Sequence, residues 1–236
     1  MNASLKTISK KERYLIITFL VVVILVISSS KKIKNICLNY CFEKNYYGAA
    51  VILIKLGADV NNNEQIPVGN DLVKYTIKNN SQQMASLLVA YHYSNMFSSV
   101  FEAINFNNYS MANYFLKHGG AVNFGFGTTP MLEYYVQHNN FLAVQYLVNH
   151  GADVNQTEDR GIGAYGSALM AASALGYKKI ALCLIRHGAI IGLKNNLDES
   201  AIMMALHHHN RNLARIMTQL LNQHNLHLFI EHKLKP

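Results

Sequence analysis

Tryptophan is absent from this sequence of 236 residues, proline and cysteine occur three times each, and only 14% of the residues are charged. Half of the residues are apolar, which excludes an intrinsically disordered chain. The low proline and glycine content excludes a collagen-like repeat, and three cysteines give no disulfide framework. The length is sufficient for one or two domains with a substantial core.

The formal net charge of +8 is concentrated at the N-terminus. Residues 1–34 contain seven basic side chains and one acidic one, whereas the remaining 202 residues contain 14 basic and 12 acidic side chains. A nucleic-acid-binding domain needs clustered lysine and arginine on its folded part to neutralise phosphates. The body of this chain lacks such an excess, so no nucleic acid partner is expected.

An apolar run from Tyr14 to Ile27 is interrupted only by Thr18 and is flanked by basic residues on both sides. As a helix it would be about 21 Å long, which makes it a short membrane span. Membrane anchoring is the favoured interpretation, with the lipid bilayer as the partner of residues 14–30. A cleaved signal peptide and a buried core helix are the alternatives. The equal charge of the two flanks leaves the orientation undetermined.

A short sequence recurs along the rest of the chain. Gly-Ala-Asp-Val-Asn occurs at Gly57–Asn61 and again at Gly151–Asn155, and related sequences follow His118 and His187. Each copy comes directly after an apolar helical stretch, so the glycine suits a left-handed helix C-cap. Between the first copy and the one after His118 there is room for one more unit, in which His92 occupies the glycine position.

The segment Ser167–Gly188 resembles an ankyrin repeat, with Leu169, Ala172, Gly176 and Leu184 at diagnostic positions. This resemblance implies an all-α ankyrin-repeat solenoid of helix pairs with short β-turn fingers, preceded by one N-terminal hydrophobic helix. The usual Thr-Pro start survives only at Thr129, and the usual histidine is missing from every unit, so we expect lower stability than in an idealised array. The predicted organisation is a basic tail over 1–13, a transmembrane helix or signal anchor over 14–30, a basic linker over 31–35, repeat units near 36–70, 71–97, 98–127, 128–166, 167–199 and 200–223, and a C-terminal cap and tail over 224–236.

Packing between the predicted helices depends on small and apolar residues. Ala103, Ala172 and Ala205 would let the two helices of a unit approach closely. An apolar face that only a neighbouring unit can bury is expected from Leu116, Leu147, Leu184 and Met217.

The common catalytic signatures are missing from the sequence, which predicts no enzyme and no cofactor. Three consecutive histidines, His207, His208 and His209, could bind a transition metal, but neighbouring helical residues point about 100° apart and do not converge on one ion. Cys37 and Cys41 lie on one helix face and could form half of a metal site, a lipid attachment site or a redox pair. Packing as small apolar residues is the favoured interpretation, and no metal site is predicted.

Binding in ankyrin-like arrays generally uses exposed residues of the first helices and the fingers. The resemblance therefore implies contact positions just before each turn between the two helices of a unit. Phe106 and Leu175 are apolar there, which is typical of a protein-binding surface, although a degenerate repeat can also place stray apolar residues outward. The candidate contact residues are Lys78, Asn79, Asn105, Phe106, Gln137, His138, Ala174, Leu175, His207 and His208.

The sequence as a whole predicts a membrane-tethered, non-catalytic scaffold or adaptor that binds an unidentified protein partner. A single-pass protein with its repeats in the cytoplasm is favoured, because no disulfide pattern is present. The alternatives are an exported periplasmic ankyrin protein that supports another enzyme, a host-directed bacterial effector and, less favoured, a metal-binding protein. The effector alternative follows from an Asn-, Lys- and Ile-rich composition similar to that of ankyrin proteins from bacteria that live inside host cells.

Overall fold

The computed structural model describes residues 30–61, 72–94, 96–123, 125–126, 129–157 and 165–234. The chain divides into two compact units, Met1–Gly120 (unit 1) and Ala121–Pro236 (unit 2). Apart from Ser30, the hydrophobic helix predicted over 14–30 lies outside the described residues. Among the residues that the structure describes, no helix is both long enough and apolar enough to cross a bilayer.

Unit 1 consists of helix pairs in its described residues. The helices are α1 (Lys31–Glu43), α2 (Tyr47–Lys55), α3 (Leu72–Lys78), α4 (Gln82–Ala90), α5 (Met96–Asn105) and α6 (Tyr109–Lys117). Because α1 begins at Lys31, the prediction of a basic linker over 31–35 is wrong. These residues form the first turn of a packed helix, with Asn35 already buried.

Unit 2 contains three further helix pairs in its described part and short antiparallel β pairings before the first helix of each pair. The fingers are marked by the ladder of β1 with β2 and by the isolated bridges Thr157–Ser167 and Lys194–Ser200. The segment 224–236, predicted as a cap and tail, continues the last helix as far as Leu234. The elements are β1 (Gly125–Phe126), β2 (Thr129–Pro130), α7 (Met131–Gln137), α8 (Phe141–Asn149), α9 (Ala168–Ala174), α10 (Lys178–Arg186), α11 (Ala201–His207) and α12 (Arg211–Leu234).

A residue with positive φ follows the second helix of each pair as far as α10, as the recurring glycine predicted. Gly57, Gly119, Gly151 and Gly188 have φ between 84° and 100°, and His92 takes the same place with φ 50°. The following residue then turns back on the helix; Ala189 N–H, for example, donates to Leu184 O at 3.0 Å. The turns inside the pairs also contain a left-handed residue, which is Asn45, Asn80, Asn107, Asn139, Gly176 or His209.

The core of each unit lies between its helices. Ala103, Ala172 and Ala205 are fully buried, as expected for residues that let helices approach closely. Leu147, Leu184 and Met217 are buried as predicted. Leu116 is only half-buried, because Phe115 takes the inward position in that helix.

The asparagine that closes each finger sequence has a specific role. Its side-chain oxygen accepts a hydrogen bond from a backbone N–H of the next repeat. These bonds join Ser94 N–H to Asn61 Oδ1 (2.6 Å), Asp153 N–H to Asn123 Oδ1 (2.8 Å) and Ile190 N–H to Asn155 Oδ1 (2.9 Å). Each donor lies two residues after the left-handed residue of its repeat, so the bond recurs with the period of the array. It explains why the repeated sequence ends in asparagine.

Candidate protein-binding surface

The turns between the two helices of each pair lie next to one another along one edge of unit 1. Asn79 Nδ2 donates to the carbonyl oxygens of Phe42 and Glu43, at 3.0 and 3.1 Å. Asn108 Nδ2 donates to Ile77 O at 3.3 Å. Each amide therefore caps the C-terminal carbonyls of the first helix in the preceding pair, which leaves those helix ends side by side.

Unit 2 has a corresponding edge. Asn210 Nδ2 donates to Ser173 O and Ala174 O, at 2.9 and 2.8 Å, so the C-terminal ends of α9 and α11 are adjacent. Helix α9 also packs against α7. We call the residues at the C-terminal ends of α7, α9 and α11 and in the turns that follow them the turn edge of unit 2.

In unit 1 the predicted contact residues are all at the surface. Lys78 and Asn105 are exposed last residues of α3 and α5, and Phe106 is 47% exposed in the turn after α5. The amide of Asn79 holds the end of α1, so a structural role accounts for this residue. Phe106 is therefore the apolar side chain that unit 1 offers among the predicted positions.

Gln137 and His138 lie at the end of α7 and have local partners. Gln137 Nε2 donates to Glu133 Oε1 at 3.1 Å. The His138 ring stacks on Tyr134 with ring centroids 4.1 Å apart, and its Nδ1 is 2.7 Å from Tyr134 O. Because a carbonyl only accepts, Nδ1 carries the proton in this hydrogen bond, and Nε2 is the ring nitrogen left outside it.

Ala174 and Leu175 differ from one another. Ala174 is buried and its carbonyl is held by Asn210, so its prediction as a contact residue is wrong. The next repeat covers this last residue of α9, which a count of positions before the turn does not reveal. Leu175 begins the turn and is 36% exposed, as predicted.

The histidine cluster lies at the end of α11 and in its turn. His207 and His208 are exposed, and His207 Nδ1 is 3.2 Å from Glu199 Oε1. In the described part of the chain, no three histidine, cysteine or acidic side chains are grouped as ligands for a metal ion. The three histidines do not converge because His207 ends the helix, whereas His208 and His209 lie in the turn that follows it, where His209 has φ 63°.

Two contact candidates were missed by sequence reasoning. Met203 and Leu206 on α11 are 40% and 51% exposed, next to His207. Helix α11 has seven residues and buries Ala201, Met204 and Ala205. The signal for them is a helix that has apolar residues on both faces but buries only one. The prediction considered only the positions just before each turn and so did not include Met203 and Leu206.

The cysteines are placed for packing. Cys41 is buried in α1, and this burial, together with the nearby Cys37, raises the pKa of the Cys41 thiol to about 11. Burial also raises the pKa of Cys183. A thiol that stays protonated at neutral pH is a poor nucleophile and a poor metal ligand, which favours the packing interpretation.

Residues 100–195 match the family model for ankyrin repeats, in three copies. Over these residues the chain is similar to ankyrin repeats. A similar solved structure is that of the ankyrin repeat domain of Bcl-3, described as a unique member of the IkappaB protein family. The sequence identity is 21% and the TM-score is 0.57, over 71% of this chain and 76% of that chain. A comparison with curated protein sequences finds no significant match.

The predicted all-α ankyrin-repeat fold is thereby confirmed, and ankyrin repeats imply a scaffold for protein–protein interaction. The residues matched by the family model include Phe106, His138 and Leu175. Helix α11, with Met203 and Leu206, lies beyond the matched residues but repeats the helix pair of the matched ones.

Proposed function

We propose that this ankyrin-repeat protein is a membrane-tethered, non-catalytic scaffold that binds a protein partner at the turn edge of unit 2. The observation that carries the proposal is the exposure of Leu175 and Leu206 at the C-terminal ends of α9 and α11, which lie side by side. Met203 is exposed about one turn earlier on α11. Side chains of this kind, partly exposed next to polar groups, are typical of protein-binding surfaces.

The polar groups around these apolar residues support a protein partner. His138 leaves its Nε2 outside its bond to Tyr134 O. His207, which follows Leu206 in sequence, lies with its Nδ1 3.2 Å from Oε1 of Glu199, a residue that precedes α11. A partner that covers the leucines would keep these side chains at the rim, where water still reaches them. An apolar centre with a polar rim is the usual arrangement of a protein interface.

The tether is proposed from the sequence of residues 14–30. Its apolar run is long enough for a short span, and basic residues flank it on both sides. Lys10 and Lys11 before the run and Lys32 after it would reach the headgroups. All three cysteines of the chain are free thiols, which favours a reducing compartment for the repeats. The proposed arrangement is a single-pass anchor with the ankyrin repeats in the cytoplasm.

The partner site is tested by charging it in the full chain. Leu175→Asp combined with Leu206→Asp should reduce recovery of a cross-linked partner from native membranes at least tenfold, with an unchanged far-ultraviolet circular dichroism spectrum. The matched control is Leu197→Asp, which charges a leucine 62% exposed in the finger before α11, at the opposite end of that helix. Equal loss in the control would assign binding to the fingers and overturn the turn edge as the site.

The tether is tested by an alkaline carbonate wash of membranes. The wild-type chain should stay in the pellet. Val22→Lys with Val23→Lys should release it, because each lysine at the centre of a span costs about 2.5 to 3.5 kcal/mol on insertion. Ser29→Lys, at the edge of the segment, is the control and should remain in the pellet. Release of the wild-type chain, or a mature N-terminus near Ser29 or Lys31, would contradict the anchor.

A further inference from the structure

Helix α1 exposes a stripe of large apolar side chains. Ile33, Ile36 and Tyr40 are 47%, 58% and 53% exposed. Their spacing of three and four residues places them on one face of the helix, which we call the outer stripe. The face opposite the outer stripe is buried through Asn35, Leu38, Cys41 and Phe42.

An apolar outer stripe is unusual for the first repeat of an array. Terminal repeats generally carry a polar outer face, because no neighbour covers them. Here the buried face of α1 packs against α2 and α3, and the outer stripe points away from both. The stripe therefore needs an occupant other than the repeats of unit 1.

The position of α1 in the chain indicates what this occupant is. The helix begins at Lys31, directly after the segment proposed as the anchor, and its N-cap residue Ser30 has an extended backbone with φ −61° and ψ 155°. If residues 14–30 cross the bilayer, α1 starts in the headgroup layer, which is roughly 5 to 8 Å thick on each side. The extended residue allows α1, about 20 Å long, to change direction and lie along the membrane surface.

The side chains around the outer stripe suit a membrane interface. Tyr40 and Tyr46 pack edge to face with ring centroids 6.2 Å apart, and Lys44 Nζ lies 5.7 Å from the Tyr40 centroid. Tyrosine is enriched at headgroup level, and lysine is attracted to anionic lipids. Glu43 lies on the same side, but its carboxylate pairs with Lys44 at 2.6 Å.

The lysines at the start of α1 divide into two kinds. Lys31 pairs with Asp59 at 2.9 Å, and Lys34 donates to Leu56 O at 2.9 Å, so both hold the first repeat together. Lys32 is exposed and precedes the first residue of the outer stripe. Lys32 and Lys44 are thus placed near the two ends of the stripe.

We propose that the outer stripe of α1 lies in the headgroup layer of the membrane that holds residues 14–30, so that unit 1 rests on the bilayer. This inference rests on the proposed tether. Anchor, lysines and stripe then form one continuous membrane-binding element, and a single crossing is supplemented by a helix lying in the interface.

Because the chain contains no tryptophan, one introduced tryptophan is a fluorescent probe of a single position. Ile36→Trp, at an exposed position, introduces a single tryptophan into the full-length protein. The protein is reconstituted in vesicles of phosphatidylcholine and phosphatidylglycerol, with or without lipids brominated near the headgroup end of the acyl chains. The matched control is Phe106→Trp, since Phe106 has a similar exposure (47%) in the same unit. Flotation of the vesicles reports on the tether separately.

The Ile36→Trp emission should shift to shorter wavelength in vesicles and fall at least twofold with brominated lipids, whereas Phe106→Trp should change little. If the two variants have equal, unquenched emission and the protein floats with the vesicles, the inference about the stripe is overturned, whereas the proposed tether is retained. A shift of the Ile36→Trp emission to shorter wavelength without quenching by brominated lipids would also overturn the inference. If that shift is lost when the protein is diluted in lipid, the stripe contacts a second copy of the chain. If the shift does not depend on dilution, the stripe is covered by residues 1–29. Failure of the chain to float would overturn the tether itself.

Discussion

The two units use the same finger sequence and build the same bonds from it. In unit 1, Asn61 N–H donates to Asp59 Oδ1 and Asn61 Nδ2 donates to His92 O, at 2.9 and 3.2 Å. In unit 2, Asn155 donates in the same way to Asp153 Oδ1 and Gly188 O, at 2.9 and 3.0 Å. Five identical residues therefore specify one local structure in two different surroundings.

The units differ at the start of this ladder. In unit 2, Asp153 N–H is bound by the finger residue Asn123, whereas in unit 1 Asp59 N–H is bound at 2.7 Å by Asn35 from helix α1. Asn35 thus takes the place of the finger asparagine of a preceding repeat. In the first repeat, a residue on the buried face of α1 therefore satisfies the backbone N–H that a preceding finger would otherwise bind. The opposite face of α1, the outer stripe, remains apolar and exposed.

The largest expected effects come from core residues at equivalent positions. Leu88 and Leu184 are fully buried, each four residues before the left-handed residue of its repeat. Leu88→Ala and Leu184→Ala should each reduce the free energy of unfolding by about 2 to 5 kcal/mol. Since repeats stabilise mainly their neighbours, hydrogen exchange should accelerate in the unit that carries the substitution.

Hydrogen exchange followed by mass spectrometry measures this unit by unit. Val89→Ala, at a half-buried neighbour of Leu88, is the control and should have a clearly smaller effect. Uniform acceleration over both units after either leucine substitution would mean that they unfold as one cooperative body, and would remove the distinction between them.

Equivalence of the two ladders is tested by Asn61→Ala and Asn155→Ala. Each substitution removes a donated and an accepted hydrogen bond to the next repeat and should cost about 1 to 2 kcal/mol. Asn155→Asp keeps the acceptor for Ile190 N–H and should cost less than Asn155→Ala. Urea unfolding followed by circular dichroism gives the comparison, and a neutral Asn155→Ala would contradict a stabilising role for the ladder.

Local signals in the sequence predicted the helix pairs well. A residue with positive φ leaves a recognisable glycine, and His92 was recognised as its replacement from the period alone. The contact surface was predicted less well, because burial at a helix end depends on the next repeat. Ala174 is covered by the repeat that supplies Asn210, and the partner of Asn35 lies 24 residues further along the chain. No local pattern contains either relationship.

A smaller effect is expected where the repeats differ in their left-handed residue. Gly188 has φ 92°, and an added Cβ would meet no atom within 4 Å, so Gly188→Ala should cost only the backbone strain of about 1 to 2 kcal/mol. His92→Gly relieves the corresponding strain in unit 1 and should stabilise it by less than about 1 kcal/mol. Thermal unfolding measures both changes, and destabilisation by His92→Gly would show that the imidazole contributes contacts of its own.

The smallest expected effect comes from removing the ion pair of Asp59 with Lys31, the counterpart of Asp59 in unit 2 being Asp153. The pKa of Asp59 is lowered by the N–H of Asn61 and then by the ammonium of Lys31. The stability that Asp59 contributes is therefore fully present above about pH 4, the ordinary range of an unfolded aspartate, and is lost as the pH falls through the lowered value. The Lys31 side chain is 64% exposed and that of Asp59 is 36% exposed, so water screens the pair and Lys31→Gln should cost less than about 1 kcal/mol at pH 7.

Lys31→Gln should also make the loss of stability below about pH 4 shallower, since one of the two causes of the lowered pKa of Asp59 is gone. The matched control is Lys32→Gln, because Lys32 is the exposed lysine next in sequence. The difference between the two variants should shrink in 1 M salt, which screens an exposed pair. Urea unfolding at pH 7 and pH 3, with and without 1 M salt, measures the cost of the substitution, its pH dependence and its salt dependence. Identical behaviour of the two variants would leave the backbone N–H of Asn61 as the interaction that matters for Asp59, and the two fingers would then be equivalent in their electrostatics as well as in their hydrogen bonds.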